Sequence, residues 1–111
     1  MELSQIQKEV HQLAKSNGWW IDADVRIVPE KLALIHSEIS EALEEYRDGQ
    51  LDHLYYRESD GKPEGFGVEL ADAIIRILDL AEWLGLDMDY LVQHKHGFNA
   101  SRPFRHGGKL A

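Results

Sequence analysis

The stretch FGVELADAIIRILDLAEWL, Phe66 to Leu84, decides the fold. Wound as a helix at about 100° per residue, its apolar members Val68, Leu70, Ala71, Ile74, Ile75, Ile77, Leu78, Leu80, Ala81, Trp83 and Leu84 point in nearly every direction. Such a helix expects cover on almost all sides. Glu69, Asp72, Arg76 and Asp79 fall at i, i+3, i+7 and i+10, which confines them to one narrow stripe. A surface helix carries a broad polar side. A thin, mostly acidic line on an apolar rod points instead to a wet cleft between helices.

The segment before it offers a second acidic stripe. Pro29 suits a first helical position and opens a helix to about Tyr46, with Leu32, Ile35, Ile39, Ala42, Leu43 and Tyr46 on one face. Beside that face stand Glu38, Glu41 and Glu45, again at i, i+3 and i+7. With Glu44 they form a run of like charge that repels by a few tenths of a kcal/mol per pair (roughly, on a bare helix) and wants a neutralising partner. Taken alone, this stripe reads equally as a solvated face of good helix formers.

Further out, Leu3, Ile6, Val10, Leu13 and Ala14 predict a first helix, with Ser4 and Gln7 as a capping box and Gly18 as its stop. His11 lies on the flank of its apolar face, where a partly exposed helix histidine is the plainer reading. Trp19 and Trp20 are adjacent and point apart, so one can fill core while the other lines a groove. Asp22 to Val28 reads as a connector. Residues 47–65, with Asp48-Gly49, Asp60-Gly61 and Pro63, read as a loop, in which Leu51 to Tyr56 can form a short helical turn. Gly85 closes the long apolar helix. Asp87 then caps a last helix ending near His96, with Gly97 as its stop. Residues 97–111 read as a tail, and from Lys95 to Lys109 the chain holds Lys95, Arg102, Arg105, Lys109, His96 and His106 with no acidic residue.

Composition bounds the function. The 111 residues suit one domain spanning 1–111, and a formal charge of -8 excludes broad binding of a nucleic-acid polymer, which repels a net anion. The absence of cysteine removes disulfides and thiolate metal sites. Nothing resembles a signal peptide or a membrane span, so a soluble cytoplasmic protein without a membrane partner is expected.

The chemistry follows from joining the stripes. If the two acidic helices pack antiparallel through their apolar faces, Glu38, Glu41, Glu69 and Asp72 converge at one level. Four buried carboxylates cannot all stay ionised without a cation, and Arg76 alone does not balance them. Arg76 itself reads as a phosphate ligand or as an ion pair with Asp72 or Asp79, and Asp79 as an extension of the site or a cap on the cleft. All-oxygen ligands, with no Cys and no His in either stripe, favour Mg²⁺ or Mn²⁺ over Zn²⁺, and Mg²⁺ commonly completes its shell with substrate phosphates.

Glu38-x-x-Glu41 followed at a distance by Glu69-x-x-Asp72 resembles the MazG-like branch of the all-α nucleoside triphosphate pyrophosphohydrolases. The fuller family pattern often begins Glu-Glu-x-x-Glu, and Ser37 stands where the leading Glu would be. Lys95, Asn99, Arg102, Pro103 and the run RHGGK, Arg105 to Lys109, resemble the end of many small members. The likeness covers about residue 30 to the C-terminus. It implies hydrolysis of a nucleoside triphosphate between the α and β phosphates. Metal would be held by Glu38, Glu41, Glu69 and Asp72, with Glu41 as the base assisted by Glu38. The resemblance implies phosphate contacts from Lys95, Asn99, Arg102, Arg105 and Lys109, while His11 and Trp20, outside the likeness, are candidates for contacting the base by their position near the first helix.

The expected architecture is all-α, a four-helix-bundle-like MazG-type fold assembled as a homodimer or homotetramer, because one chain gives too little cover for the helix at 66–84. The basic tail can then act in cis or from a neighbour. Two other classes fit the same residues: a noncatalytic helical oligomer that binds nucleotide or a partner, and a related enzyme such as a dimeric dUTPase or a phosphoribosyl-ATP pyrophosphohydrolase.

Overall fold

The computed structural model describes residues 2–103. They form α1 (Leu3–Ser16), a 3-10 turn (Val25–Ile27), α2 (Val28–Arg47), a hairpin of two-residue strands β1 (Tyr55–Tyr56) and β2 (Pro63–Glu64), α3 (Phe66–Trp83) and α4 (Met88–Ser101). The chain is mostly helical, as expected. The antiparallel hairpin, with Tyr55 opposite Glu64, replaces the short helical turn expected near Leu54.

Local chemistry explains most of the boundaries. Pro29 sits in the first turn of α2, where its missing N–H leaves nothing unsatisfied. Asp87 caps α4 by accepting from the Tyr90 amide at 3.0 Å. Gly85, at φ 73°, turns the chain out of α3. Two expected signals fail. Ser4 and Gln7 make no capping box: α1 already begins at Leu3, and Gln7 is buried, donating to Glu82 at 3.0 Å and to the Leu86 carbonyl at 2.7 Å. Gly97 does not stop α4, which continues to Ser101, so Lys95 and Asn99 are helical and the tail begins later than residue 97. A glycine inside a helix costs about 1 kcal/mol against alanine but ends it only where the chain turns left-handed.

The helix α3 is central. Both α1 and α2 pack on it, β2 meets it, and α4 lies against α1. Buried apolar residues are Trp20, Ala42, Ala73, Leu78, Leu80 and Ala81, and among the described residues no large side chain is fully enclosed. Ile74 remains 54% exposed, and Leu70 and Ile77 are exposed beside it. The radius of gyration is 16.7 Å, whereas about 13 Å is usual for a compact domain of this length. A single chain therefore leaves much of α3 uncovered. Among the described residues no helix is long and apolar enough to cross a membrane.

Gly65 joins the hairpin to α3 at φ 128°, and a Cβ there would lie 2.2 Å from the His53 carbonyl oxygen. Gly65→Ala is therefore expected to destabilise the protein by about 2 kcal/mol. Chemical denaturation of the two proteins, read by circular dichroism, measures that difference.

Candidate metal centre

Two helices build the site. Glu38 and Glu41 are one turn apart on α2, and Glu69 lies in the first turn of α3. Packing of α2 on α3 brings one carboxylate oxygen from each of the three to within 4.8 Å of one another. Glu38 and Glu69 are buried while Glu41 reaches solvent, so the cluster is closed behind and open in front. Glu38 Oε2 and Glu69 Oε2 are buried with no hydrogen-bond partner among the described residues. A buried polar oxygen left so costs about 1–3 kcal/mol, more for a charged group.

Electrostatics register the crowding. Burial first, and then the adjoining Glu38 and Glu41 carboxylates, push the Glu69 carboxyl up to about 8. The Asp72 carboxyl is also raised, by burial and then by the charge of Glu38, against the opposing pull of Lys62 and Arg76. Without a cation, then, crowding favours a proton kept within this carboxylate group.

Of the four carboxylates expected to converge, three do. Asp72 lines the same cavity but lies outside the close group. Arg76 donates from Nε to Glu38 Oε1 at 2.8 Å, so its partner is across the helix interface and neither Asp72 nor Asp79. A cavity of roughly 540 Å³ opens in front of the cluster, bounded on the acidic side by Glu38, Glu41 and Asp72 and on the α1 side by Leu13, Ala14, Asn17 and Trp19. Lys31, Lys62 and Arg76 supply its cations.

His11 and Trp20 do not line this cavity. Asp79 Oδ1 accepts from His11 Nδ1 at 2.7 Å and from Trp20 Nε1 at 2.9 Å, and Trp20 stacks on Trp83 with centroids 4.9 Å apart. Asp79 thus binds α1 and the turn after it to α3 through His11 and Trp20, the two side chains expected at the base. Of the adjacent indoles, Trp20 is the core residue and Trp19, 54% exposed, is the one at the cavity. Lys95 and Asn99 are on α4 and Arg102 is its C-cap, none of them lining the cavity, with the Lys95 and Arg102 cations lying against the Phe98 ring. Arg105 and Lys109 lie outside the described residues.

Set against known proteins, the chain matches no family model, no curated protein and no solved structure.

The cluster's chemistry rests on its own geometry. Three converging carboxylates, two with an unpartnered oxygen, form an all-oxygen donor set that suits a hard divalent cation. Sequence reasoning missed Lys31 and Lys62. Lys31 stands seven residues before Glu38, two turns along the same stripe, a spacing open to inspection. Lys62 sits alone in a loop, where no periodicity marks it.

Proposed function

We propose that this chain is a Mg²⁺-dependent nucleoside triphosphate pyrophosphohydrolase of the MazG-like kind, cleaving a ribo- or deoxyribonucleotide between its α and β phosphates. One observation carries the reading: carboxylates from two packed helices meet at the wall of an open cavity, with two of their buried oxygens unpartnered. Glu38, Glu41 and Glu69 would hold the ion, with Asp72 at its margin. When bound, the ion supplies positive charge to phosphate oxygens and makes water more acidic. Glu41, the open member of the three, accepts the proton of the attacking water as the Pα–O bond to pyrophosphate breaks. Cavity cations stabilise the charge that gathers on the departing pyrophosphate. Trp19 and the apolar α1 wall offer the far end of the cavity to the base.

The test is pyrophosphate release from a panel of normal and modified nucleotides, with Mg²⁺ and with chelator. Turnover that needs the metal supports the reading. Binding of nucleotide without pyrophosphate release points to the noncatalytic class.

We propose also that the working form is a homodimer or a pair of dimers. Each of two helices bears an exposed apolar stripe at i, i+4 and i+7: Ile39, Leu43 and Tyr46 on α2, and Leu70, Ile74 and Ile77 on α3. Such patches mark association surfaces. The double variant Ile74→Glu, Ile77→Glu is expected to sediment as a monomer where the parent chain does not.

A further inference from the structure

The hairpin between α2 and α3 carries one of the three cavity cations, and it is firmly built. Tyr55 Oη donates to both carboxylate oxygens of Glu45 at 2.8 and 3.0 Å, which ties β1 to the last turns of α2 and pushes the phenol up to about 12. The Arg57 amide donates to the Lys62 carbonyl at 2.9 Å, and the Gly61 amide to the Arg57 carbonyl at 2.8 Å. Asp60 accepts from the Arg57 guanidinium at 2.9 Å and from the Lys62 amide at 3.1 Å. Residue 62 is therefore held by its neighbours on both sides of the turn.

What this turn presents is an ammonium group. Lys62 borders the same cavity as Glu38, Glu41 and Asp72, and its charge is felt at Asp72. The other cations of the cavity are engaged: Arg76 with Glu38, and Lys31 over the Trp19 and Trp20 rings, 5.4 and 4.5 Å from their centroids. Lys62 makes no ion pair among the described residues. An amine beside a carboxylate cluster without closing on it is placed for an anion that arrives with the metal.

We infer that Lys62 is a phosphate ligand of this cleft, delivered by the hairpin of the same chain. Resting on the triphosphate reading of the site, the inference assigns to Lys62 a contact that the family resemblance implies for Lys95 and Arg102. A lysine meets phosphate as a point charge on a flexible stem, so arginine can stand in for it while methionine, of similar length, cannot.

The probe is inorganic tripolyphosphate, titrated calorimetrically at a fixed excess of Mg²⁺ into the parent protein, Lys62→Met and Lys62→Arg, with Mn²⁺ binding alone followed by electron paramagnetic resonance. Lys62→Met should weaken tripolyphosphate binding about tenfold, and Lys62→Arg less than about threefold. Mn²⁺ binding without phosphate should stay within about twofold of the parent, which a merely structural hairpin defect would not allow. Unchanged tripolyphosphate affinity in Lys62→Met overturns the inference, as does loss of Mn²⁺ binding in step with it, or failure of the parent protein to bind the probe. If Lys62 binds the probe but no nucleotide releases pyrophosphate, the hydrolase reading falls and the ligand stands. If pyrophosphate release by Lys62→Met is undiminished at limiting nucleotide, the ligand falls and the hydrolase reading stands.

Discussion

Glu38→Gln is expected to lower pyrophosphate release by about a thousandfold while leaving the fold intact. The expected loss corresponds to about 4 kcal/mol of transition-state stabilisation. Glu38 is buried and belongs to the carboxylate group, so the amide removes one charge from the donor set without changing its volume. The amide oxygen can still accept from Arg76 Nε, now at 2.8 Å from Glu38 Oε1, so the tie between α2 and α3 survives. Glu38→Ala removes charge and tie together and should cost stability as well, since it leaves the Arg76 guanidinium without its partner. Steady-state kinetics beside thermal melts of both variants separates these effects. Parent-like turnover in Glu38→Gln would remove this carboxylate from the chemistry.

The second large effect is a dependence of stability on pH that metal should abolish. In the metal-free folded protein the Glu69 carboxyl, only 6% exposed, is pushed up to about 8 from its ordinary 4.5 by burial and the adjoining carboxylates. Between those values the folded state holds a proton that the unfolded chain has released. Stability must then fall as pH rises through this window and level off above it. The expected loss is on the order of a few kcal/mol, and the raised Asp72 carboxyl adds to it with the same sign. Saturating Mg²⁺ or Mn²⁺ favours the ionised carboxylate, so the slope should flatten and metal uptake below pH 8 should release a proton. Glu69→Gln should flatten it without metal and lose the stabilisation that metal brings. Chemical denaturation from pH 5 to 9, with metal and with chelator, measures all three. A metal-free protein whose stability rises across this range contradicts a protonated Glu69.

How far these results could be foreseen differs from residue to residue. The acidic stripes on α2 and α3 were legible because a helix repeats at 3.6 residues and spacings of three and seven set side chains on one line. Asp87 and Gly85 were legible because a cap is a local hydrogen bond or a local backbone angle. Gly97 misled for the same reason: its neighbours alone do not reveal whether the chain turns there. The hairpin at 55–64 escaped because two-residue strands have no period to detect.

From residue order alone came the helical class, the two acidic pairs, the all-oxygen character of their side chains and the hunger of residues 66–84 for cover, all consequences of helical periodicity and side-chain chemistry. Tertiary packing decided that Asp72 stands apart from Glu38, Glu41 and Glu69, that Arg76 reaches Glu38, and that Trp19 and not Trp20 faces the cavity. It also brought Lys62 from a loop to the cavity that Glu38, Glu41 and Asp72 border. Those outcomes depend on how two helices rotate and slide against each other, and a shift of one residue along α3 turns a side chain by about 100°. Periodicity along a single helix carries no record of that rotation, so only the packed structure holds it.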